Sequence, residues 1–190
     1  MPYVLTRGEA ETQLDMIRRR ANQVIAGLDA SQFNWQPDGG RRWSIGQCLE
    51  HLARVSTIYG ESIGQAIDTA PQIAEQSAIV PRLVGQWMIW TMDPPVLLKM
   101  PTRRVLKPPS ELDPADVRER FSDSLRLASE LTARAMRIDA RRTRFANPIL
   151  GGTRMFDVAA GILIILAHNR RHIVQAEKVR QSKNFPSTQS

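Results

Sequence analysis

Apolar and small residues recur at helical spacing along the chain. They fall three or four positions apart, which places them on one face of an α-helix. No stretch alternates between apolar and polar residues as a half-buried strand would. The pattern therefore predicts an all-α fold with no sheet. The core-facing positions are Ala10, Leu14, Ile17, Ala21, Val24 and Leu28 in the first helix, Ile45, Cys48, Leu49, Leu52, Val55, Tyr59, Ile63 and Ile67 in the second, and Val117, Phe121, Ser124, Ala128, Leu131, Ala135 and Ile138 in the third.

Capping signals predict where these helices begin. Thr6 with Glu9, and Ser44 with Gln47, have the spacing of a capping box, in which each side chain binds a free backbone N–H of the first turn. Asp113 is placed to cap the third helix, because a proline follows it at the first helical position.

A fourth helix is expected from about Thr153 to Gln181. Its apolar run, residues 158–167, is ten residues long. A bilayer span needs about 20 residues, so this run predicts a helix that is buried on most sides. We expect the polar tail, residues 183–190, to be frayed. The N-terminus lacks the apolar region of a signal peptide.

The connections differ in length. Residues 29–42 and 139–152 are predicted loops, whereas residues 70–110 are rich in proline and unusually long for a compact bundle. Pro81 is expected to start a short helix through Trp90. We expect five of its apolar residues to be mostly buried: Leu83, Val84, Trp87, Met88 and Trp90.

Together these features predict one domain, residues 1–182, folded as a four-helix bundle. The long connection between the second and third helices predicts a crossover and up-down-down-up order. A chain of 190 residues is long enough for one sizeable core. Its single cysteine, Cys48, excludes an internal disulfide and favours a reducing cytoplasm.

The net charge of +7 raises the question of a nucleic-acid partner. The arginines are scattered in pairs along the chain, however, and there is no basic tail. Only 5 Phe and 2 Tyr are available for stacking on bases. The sequence therefore disfavours nucleic-acid binding.

Candidate chemistry is concentrated in the histidines. The chain has only three: His51 in the second helix, and His168 and His172 in the fourth. Residues four apart lie on one helix face, so His168 and His172 are spaced to bind one metal ion. A chance HxxxH pair is the alternative. Asn169 stands where a zincin has its glutamate base, and an amide cannot accept a proton at neutral pH, so a zincin mechanism is excluded. The neighbouring carboxylate Glu50 is a weaker candidate, because adjacent residues on a helix point about 100° apart.

Three motifs resemble the DinB-like superfamily. Residues 43–53 (WSIGQCLEHLA) resemble its second helix, and residues 147–151 (NPILG), 167–172 (AHNRRH) and 175–177 (QAE) resemble its final helix. Residues 101–121 look like its crossover. The resemblance covers most of the chain.

The resemblance implies a four-helix bundle with a three-histidine metal site, the ligands being His51, His168 and His172. Relatives with known activity include bacillithiol transferases and mycothiol-dependent isomerases. Zn²⁺ or Ni²⁺ would suit three imidazoles. Asn147 and Asn169 depart from the family pattern, which commonly has histidine and glutamate there, and no catalytic residue can be assigned.

The leading hypothesis is a divalent-metal-dependent enzyme that transfers a thiol to a small electrophilic substrate. The alternatives are a helical bundle that binds metal or a small ligand without turnover, and a nucleic-acid-binding stress protein. We expect a small-molecule substrate, with a low-molecular-weight thiol as a candidate, and no membrane partner. Association as a homodimer is left open. If the three histidines meet, the second and fourth helices must run antiparallel.

Overall fold

The computed structural model describes residues 3–94 and 106–187. Of these residues, 62% lie in seven helices, and a very small sheet is the other regular element among them. The prediction of a mainly helical chain is confirmed. In chain order the elements are β1 (Leu5–Thr6), α1 (Arg7–Ile25), α2 (Ala30–Asn34), α3 (Pro37–Gly40), α4 (Ile45–Asp68), β2 (Ala78–Ile79), α5 (Leu83–Met92), α6 (Pro114–Ala135) and α7 (Val158–Arg180).

The predicted caps are confirmed. The Thr6 hydroxyl accepts the Glu9 N–H at 3.2 Å, and the Glu9 carboxylate accepts the Thr6 N–H at 2.8 Å. Ser44 and Gln47 form the same reciprocal pair at the start of α4, both at 3.0 Å. The Asp113 carboxylate accepts two backbone N–H groups in the first turn of α6. These bonds fix the helix starts because the first four N–H groups of a helix have no partner inside it.

The predicted start of the last helix is wrong by five residues. The helix α7 begins at Val158, not Thr153. The Asp157 carboxylate caps it by accepting the Ala160 N–H at 2.8 Å. Asp157 also forms an antiparallel bridge with Arg144 and is itself in an extended conformation. The predicted end agrees with the observed end at Arg180 to within one residue.

The expected absence of a sheet is also corrected. Strands β1 and β2 pair antiparallel, with Leu5 opposite Ile79 and Thr6 opposite Ala78. Two residues are too few to produce a visible alternation of apolar and polar positions, so pattern analysis could not find them. The predicted loop 29–42 likewise contains the two short helices α2 and α3.

The short helix α5 forms close to the predicted position, but its burial differs. Gly85 lies against α7 so closely that an added Cβ would be 2.4 Å from the Ala160 Cβ. Ile89 is buried on the same side. The opposite side faces solvent, so the expected burial is wrong for four of the five residues; the fifth, Met88, is partly buried against the core. The large exposed residues of this side are Leu83, Val84, Trp87 and Trp90.

Side-chain contacts give the relative directions of the long helices. Glu50 pairs with Arg120 near the starts of α4 and α6, and Asp68 pairs with Arg134 near their ends, so these two helices run in the same direction. The helices α1 and α7 also run in the same direction: Gln13 accepts from Arg170, and Glu177 pairs with Arg20 further along.

The helices α4 and α7 run in opposite directions. His51 near the start of α4 contacts His168 in the second half of α7. Ile63 near the end of α4 lies beside Gly161 in the first turn of α7, where an added Cβ would be 2.7 Å from the Ile63 Cδ1. Both contacts agree with the antiparallel arrangement of the second and fourth long helices that a meeting of the three histidines requires.

The first half of α7 runs through the core. All ten residues of its apolar run, 158–167, are buried, as predicted. No helix in the described ranges 3–94 and 106–187 is both long and apolar enough to cross a membrane. The middle of the long connection, residues 95–105 with Pro95 and Pro101, lies outside the described part of the chain. The described chain resumes at Leu106, which is buried.

Candidate metal centre

The structure brings all three histidines together. His51 lies two turns into α4, where the Ser44 cap fixes the phase of the helix. His168 and His172 lie one turn apart on α7. One ring nitrogen from each histidine lies within 4.8 Å of the others. The cluster can therefore hold a metal ion, and the sequence identified each of its members.

The distances are compatible with one shared cation. The Nε2 atoms of His51 and His168 are 3.3 Å apart. Two nitrogens bound tetrahedrally to Zn²⁺ at about 2.0–2.1 Å would be separated by roughly 3.3 Å. The ring of His172 completes the triangle, with centroid distances of 4.8 Å to His51 and 4.6 Å to His168.

A main-chain contact orients His51. Its Nδ1 lies 3.1 Å from the carbonyl oxygen of Leu106. A carbonyl only accepts hydrogen bonds, so this contact requires the proton on Nδ1 and leaves the lone pair of the neutral ring on Nε2, the atom that faces His168. Histidine ligands of metals commonly have such a partner on the second nitrogen. The sequence did not reveal this contact, because Leu106 belongs to the irregular connection.

The other two rings have unsatisfied nitrogens. The Nδ1 atoms of His168 and His172 are buried and have no hydrogen-bond partner within the described residues. Burying a polar atom without a partner carries a free-energy cost. A cation bound at Nε2 of His168 would place the ring proton on Nδ1 and would not give that atom a partner. The fit to a divalent cation therefore rests on the three imidazole donors and on their spacing.

Burial keeps the three imidazole rings uncharged. Burial lowers the pKa of all three imidazoles, because the charged form loses its hydration. The pKa of His172 falls to about 3, and the neighbouring His51 contributes by repulsion. The rings therefore remain unprotonated at neutral pH, which is the form that binds metals.

The indole ring of Trp43 packs against two histidines of the cluster. It is stacked on His172 with centroids 5.6 Å apart, and it meets the edge of His51 at 4.8 Å. Trp43 is only partly buried and precedes the capping residue of α4, so the start of the helix places it there. The motif that contains Trp43 was identified in the sequence, but its contact with two histidines was not predicted.

The two residues that depart from the family pattern, Asn147 and Asn169, both form hydrogen bonds inside the protein. Asn147 is fully buried and exchanges hydrogen bonds with the Tyr59 hydroxyl. Asn169 is also fully buried and donates to Ser56 at 3.2 Å and to the Ile165 carbonyl at 2.9 Å. Neither amide can act as an acid or base at neutral pH.

Glu50, the neighbour of His51 in the sequence, is buried and has its own partners. Its carboxylate accepts from Arg54 at 2.6 Å and from Arg120 on α6 at 3.0 Å. These ion pairs make Glu50 a link between α4 and α6. Cys48 is buried in the core, and burial raises the pKa of its thiol, so it supplies no thiolate.

These features define a class: a mainly helical protein with a largely buried cluster of three histidines able to hold a metal ion. The family model of the DinB superfamily matches residues 13–176. The chain therefore belongs to the DinB superfamily. No curated protein and no solved structure matches the chain.

Proposed function

We propose that the protein is a divalent-metal-dependent enzyme that transfers a thiol to a small electrophilic substrate. The observation that carries this proposal is the cluster of His51, His168 and His172, whose ring nitrogens lie within 4.8 Å of one another. Zn²⁺ or Ni²⁺ suits this donor set. When bound, such a cation supplies a Lewis acid with an open coordination position.

The residues around the cluster would each have a separate role. The three neutral imidazoles would hold the cation, and the Leu106 carbonyl would keep His51 in the tautomer that binds through Nε2. Trp43 would shield the rings of His51 and His172 from water. His168 is less buried than His51 and His172, so a small substrate would approach the cation from the side of His168.

The lone, buried Cys48 supports placing this activity in a reducing compartment such as the cytoplasm. Low-molecular-weight thiols remain reduced there and would be available as cosubstrates. Its burial also implies that the attacking thiol comes from a small molecule and not from the chain itself.

A second candidate function is metal or small-ligand binding without turnover. Glu50, the carboxylate next to a ligand in sequence, is held by Arg54 and Arg120, and Asn169 is an amide. Neither is placed as a general base. Nucleic-acid binding is less favoured, since many arginines pair with carboxylates of the chain.

We also propose the up-down-down-up four-helix bundle for this domain. It is supported by the contacts between α4 and α6, between α1 and α7, and between α4 and α7. In this arrangement Leu106, which belongs to the connection between α4 and α6, lies beside the cluster.

Elemental analysis of the purified protein tests the site first. His51→Ala, His168→Ala and His172→Ala should each lose most of the bound metal, because each removes one of three ligands. Asn169→Ala is the matched control beside His168 and should retain it. Equal metal content in all four variants would contradict the site.

A screen of low-molecular-weight thiols with small electrophiles then tests turnover. The metal-bound protein should consume thiol and electrophile in equal amounts, and His172→Ala should not. If metal binds stoichiometrically and its removal changes no measured turnover, the non-catalytic alternative is correct.

A further inference from the structure

A cavity of about 300 Å³ lies between α1 and α7. Its floor is apolar: Ile17 of α1 meets Leu163 and Ile173 of α7, and all three residues are buried. The polar residues of its lining include Gln13, Arg20, Asp93 and Arg170. A mainly apolar pocket of this size with a few polar groups is the usual form of a binding site for a small molecule.

This cavity is separate from the histidine cluster. At 100° per residue, its three residues on α7, Leu163, Arg170 and Ile173, lie roughly 100–180° around the helix axis from His168 and His172. No histidine is among the described residues that line the cavity. The cavity and the cluster therefore lie on opposite sides of one helix, so a ligand in the cavity would not touch a cation held by the histidines.

The charged side chains around the cavity are already paired. Arg20 donates to the Glu177 carboxylate through Nε at 2.7 Å and through Nη2 at 2.6 Å. Arg170 donates to Asp93 through Nε at 2.7 Å and to Gln13 through Nη1 at 2.5 Å. An ionic ligand would bring an unpaired charge into a site that is partly removed from water, which is costly. The pairing therefore favours an uncharged ligand.

Hydrogen-bond donors remain after this pairing. A guanidinium group has five N–H donors and no acceptor. The described residues engage two nitrogens of Arg20 and three nitrogens of Arg170. Arg20 thus keeps the larger number of N–H groups for a ligand. The group that matches these donors is an uncharged oxygen acceptor, such as the carbonyl of an amide.

We propose that the cavity between α1 and α7 binds a small, uncharged amphipathic molecule, with its apolar body on the floor and its oxygen acceptor on the guanidinium group of Arg20. The floor supplies affinity, because the ligand removes apolar surface from water. Arg20 supplies orientation, since only the polar end of the ligand can accept its N–H groups. This site does not depend on a metal ion, so its test is independent of the proposed catalysis.

Isothermal titration calorimetry with three probes tests the class of ligand. Octanamide, octanoate and octylammonium have similar apolar chains and differ in the charge of the head group. Octanamide should bind one to one with a dissociation constant of about 1 mM or lower, as expected for a ligand of about ten non-hydrogen atoms. Each ion should bind roughly fivefold more weakly or worse. An ion that binds as tightly as octanamide, or octanamide that does not saturate the protein, would overturn the proposal.

Two arginine variants on α1 test the position of the ligand. Arg20→Met removes the donors and leaves Glu177 without its partner, so octanamide should bind roughly tenfold more weakly and the preference should shift towards octylammonium. Arg18→Met is the matched control, because Arg18 forms an exposed ion pair with Asp15 and does not line the cavity. Equal effects of the two substitutions would overturn the proposal.

Two further measurements distinguish the cavity from other surfaces. Trp87→Ala alters the exposed side of α5 and should leave octanamide binding unchanged, since Trp87 does not line the cavity. Loss of binding in this variant would place the ligand on α5 and overturn the proposal. Addition of Zn²⁺ should also leave octanamide binding unchanged. A dependence on Zn²⁺ would place the ligand at the histidine cluster and likewise overturn it.

Discussion

The indole ring of Trp43 is stacked on the imidazole ring of His172, with centroids 5.6 Å apart and planes 22° apart. Trp43 also meets the edge of His51, so one aromatic side chain touches rings on two different helices. Ring contacts of this kind restrict the orientations that each imidazole can adopt. The metal affinity of the cluster should therefore depend on a residue that is not a ligand.

We expect Trp43→Ala to lower metal affinity roughly tenfold, at the low end of the effects measured for residues that orient ligands. Trp43→Phe should retain most of the affinity, because it keeps an aromatic face. Competition with a chromophoric chelator measures both. Trp35→Ala is the control, since Trp35 packs on Phe185 and contacts no histidine of the cluster. An unchanged affinity in Trp43→Ala would contradict this role.

The metal-free protein should lose stability on mild acidification. Burial lowers the pKa of the three histidines in the folded state below the unfolded value of about 6.5. The unfolded chain therefore binds more protons, so stability is full above the unfolded pKa and falls as the pH drops towards the folded pKa. The free energy of unfolding should decrease between pH 7 and 5 by at most about 1.4 kcal/mol per pH unit for each histidine.

Urea denaturation in the presence of a chelator measures this dependence. His172→Gln should be less sensitive to pH than the wild type, because burial lowers the pKa of His172 to about 3 in the folded protein. Identical pH profiles for the two proteins would contradict the depressed pKa.

Glu50 should contribute to stability and not to metal binding. It is buried between Arg54 and Arg120, which are themselves partly exposed. Glu50→Ala leaves two guanidinium groups that can recover water, so we expect a loss of about 1–3 kcal/mol in the free energy of unfolding. Metal content should be unchanged.

A matched control for Glu50 is the exposed pair of Asp123 and Arg126. Asp123→Ala should change stability by less than about 0.5 kcal/mol, because exposed ion pairs contribute little. Chemical denaturation and elemental analysis of both variants test the prediction. Loss of metal in Glu50→Ala at full folding would instead connect Glu50 to the site.

Gly161 should control the spacing between α4 and α7. An added Cβ would be 2.7 Å from Ile63 Cδ1 and 2.8 Å from Phe145 Cε1, closer than packed atoms can lie. Gly161→Ala should cost about 1–3 kcal/mol and weaken metal binding, because it separates the two helices that hold the histidines. Gly8→Ala is the control: its Cβ would meet nothing within 4 Å, and it should stabilise α1 by about 0.5 kcal/mol. Equal thermal stability of the two variants would contradict the close contact.

Local signals in the sequence predicted the long helices well. The capping residues Thr6, Ser44 and Asp113 act through neighbours two or three positions away, so the sequence alone contains their whole interaction. The histidine cluster was also predictable, because helical spacing brought two ligands together and the resemblance added His51. Each of these inferences rests on short-range geometry or on a motif.

The errors concern residues whose environment is set by distant parts of the chain. The apolar residues of α5 are consistent with burial on either side, and only the packing of Gly85 on α7 decides which side is covered. The start of α7 depends on the bridge between Arg144 and Asp157. The pairing of β1 with β2 joins residues more than seventy positions apart. A periodic pattern contains none of this information.

The hydrogen bond from His51 to the Leu106 carbonyl has a consequence for how this protein can vary. Its acceptor is a main-chain oxygen, so no change of side chain at position 106 deletes it directly. Point substitutions near Leu106 would therefore leave this hydrogen bond in place as long as the path of the backbone is kept. An insertion or deletion there would shift the carbonyl and release the imidazole. The site should thus be robust to point mutation of this segment and sensitive to its length.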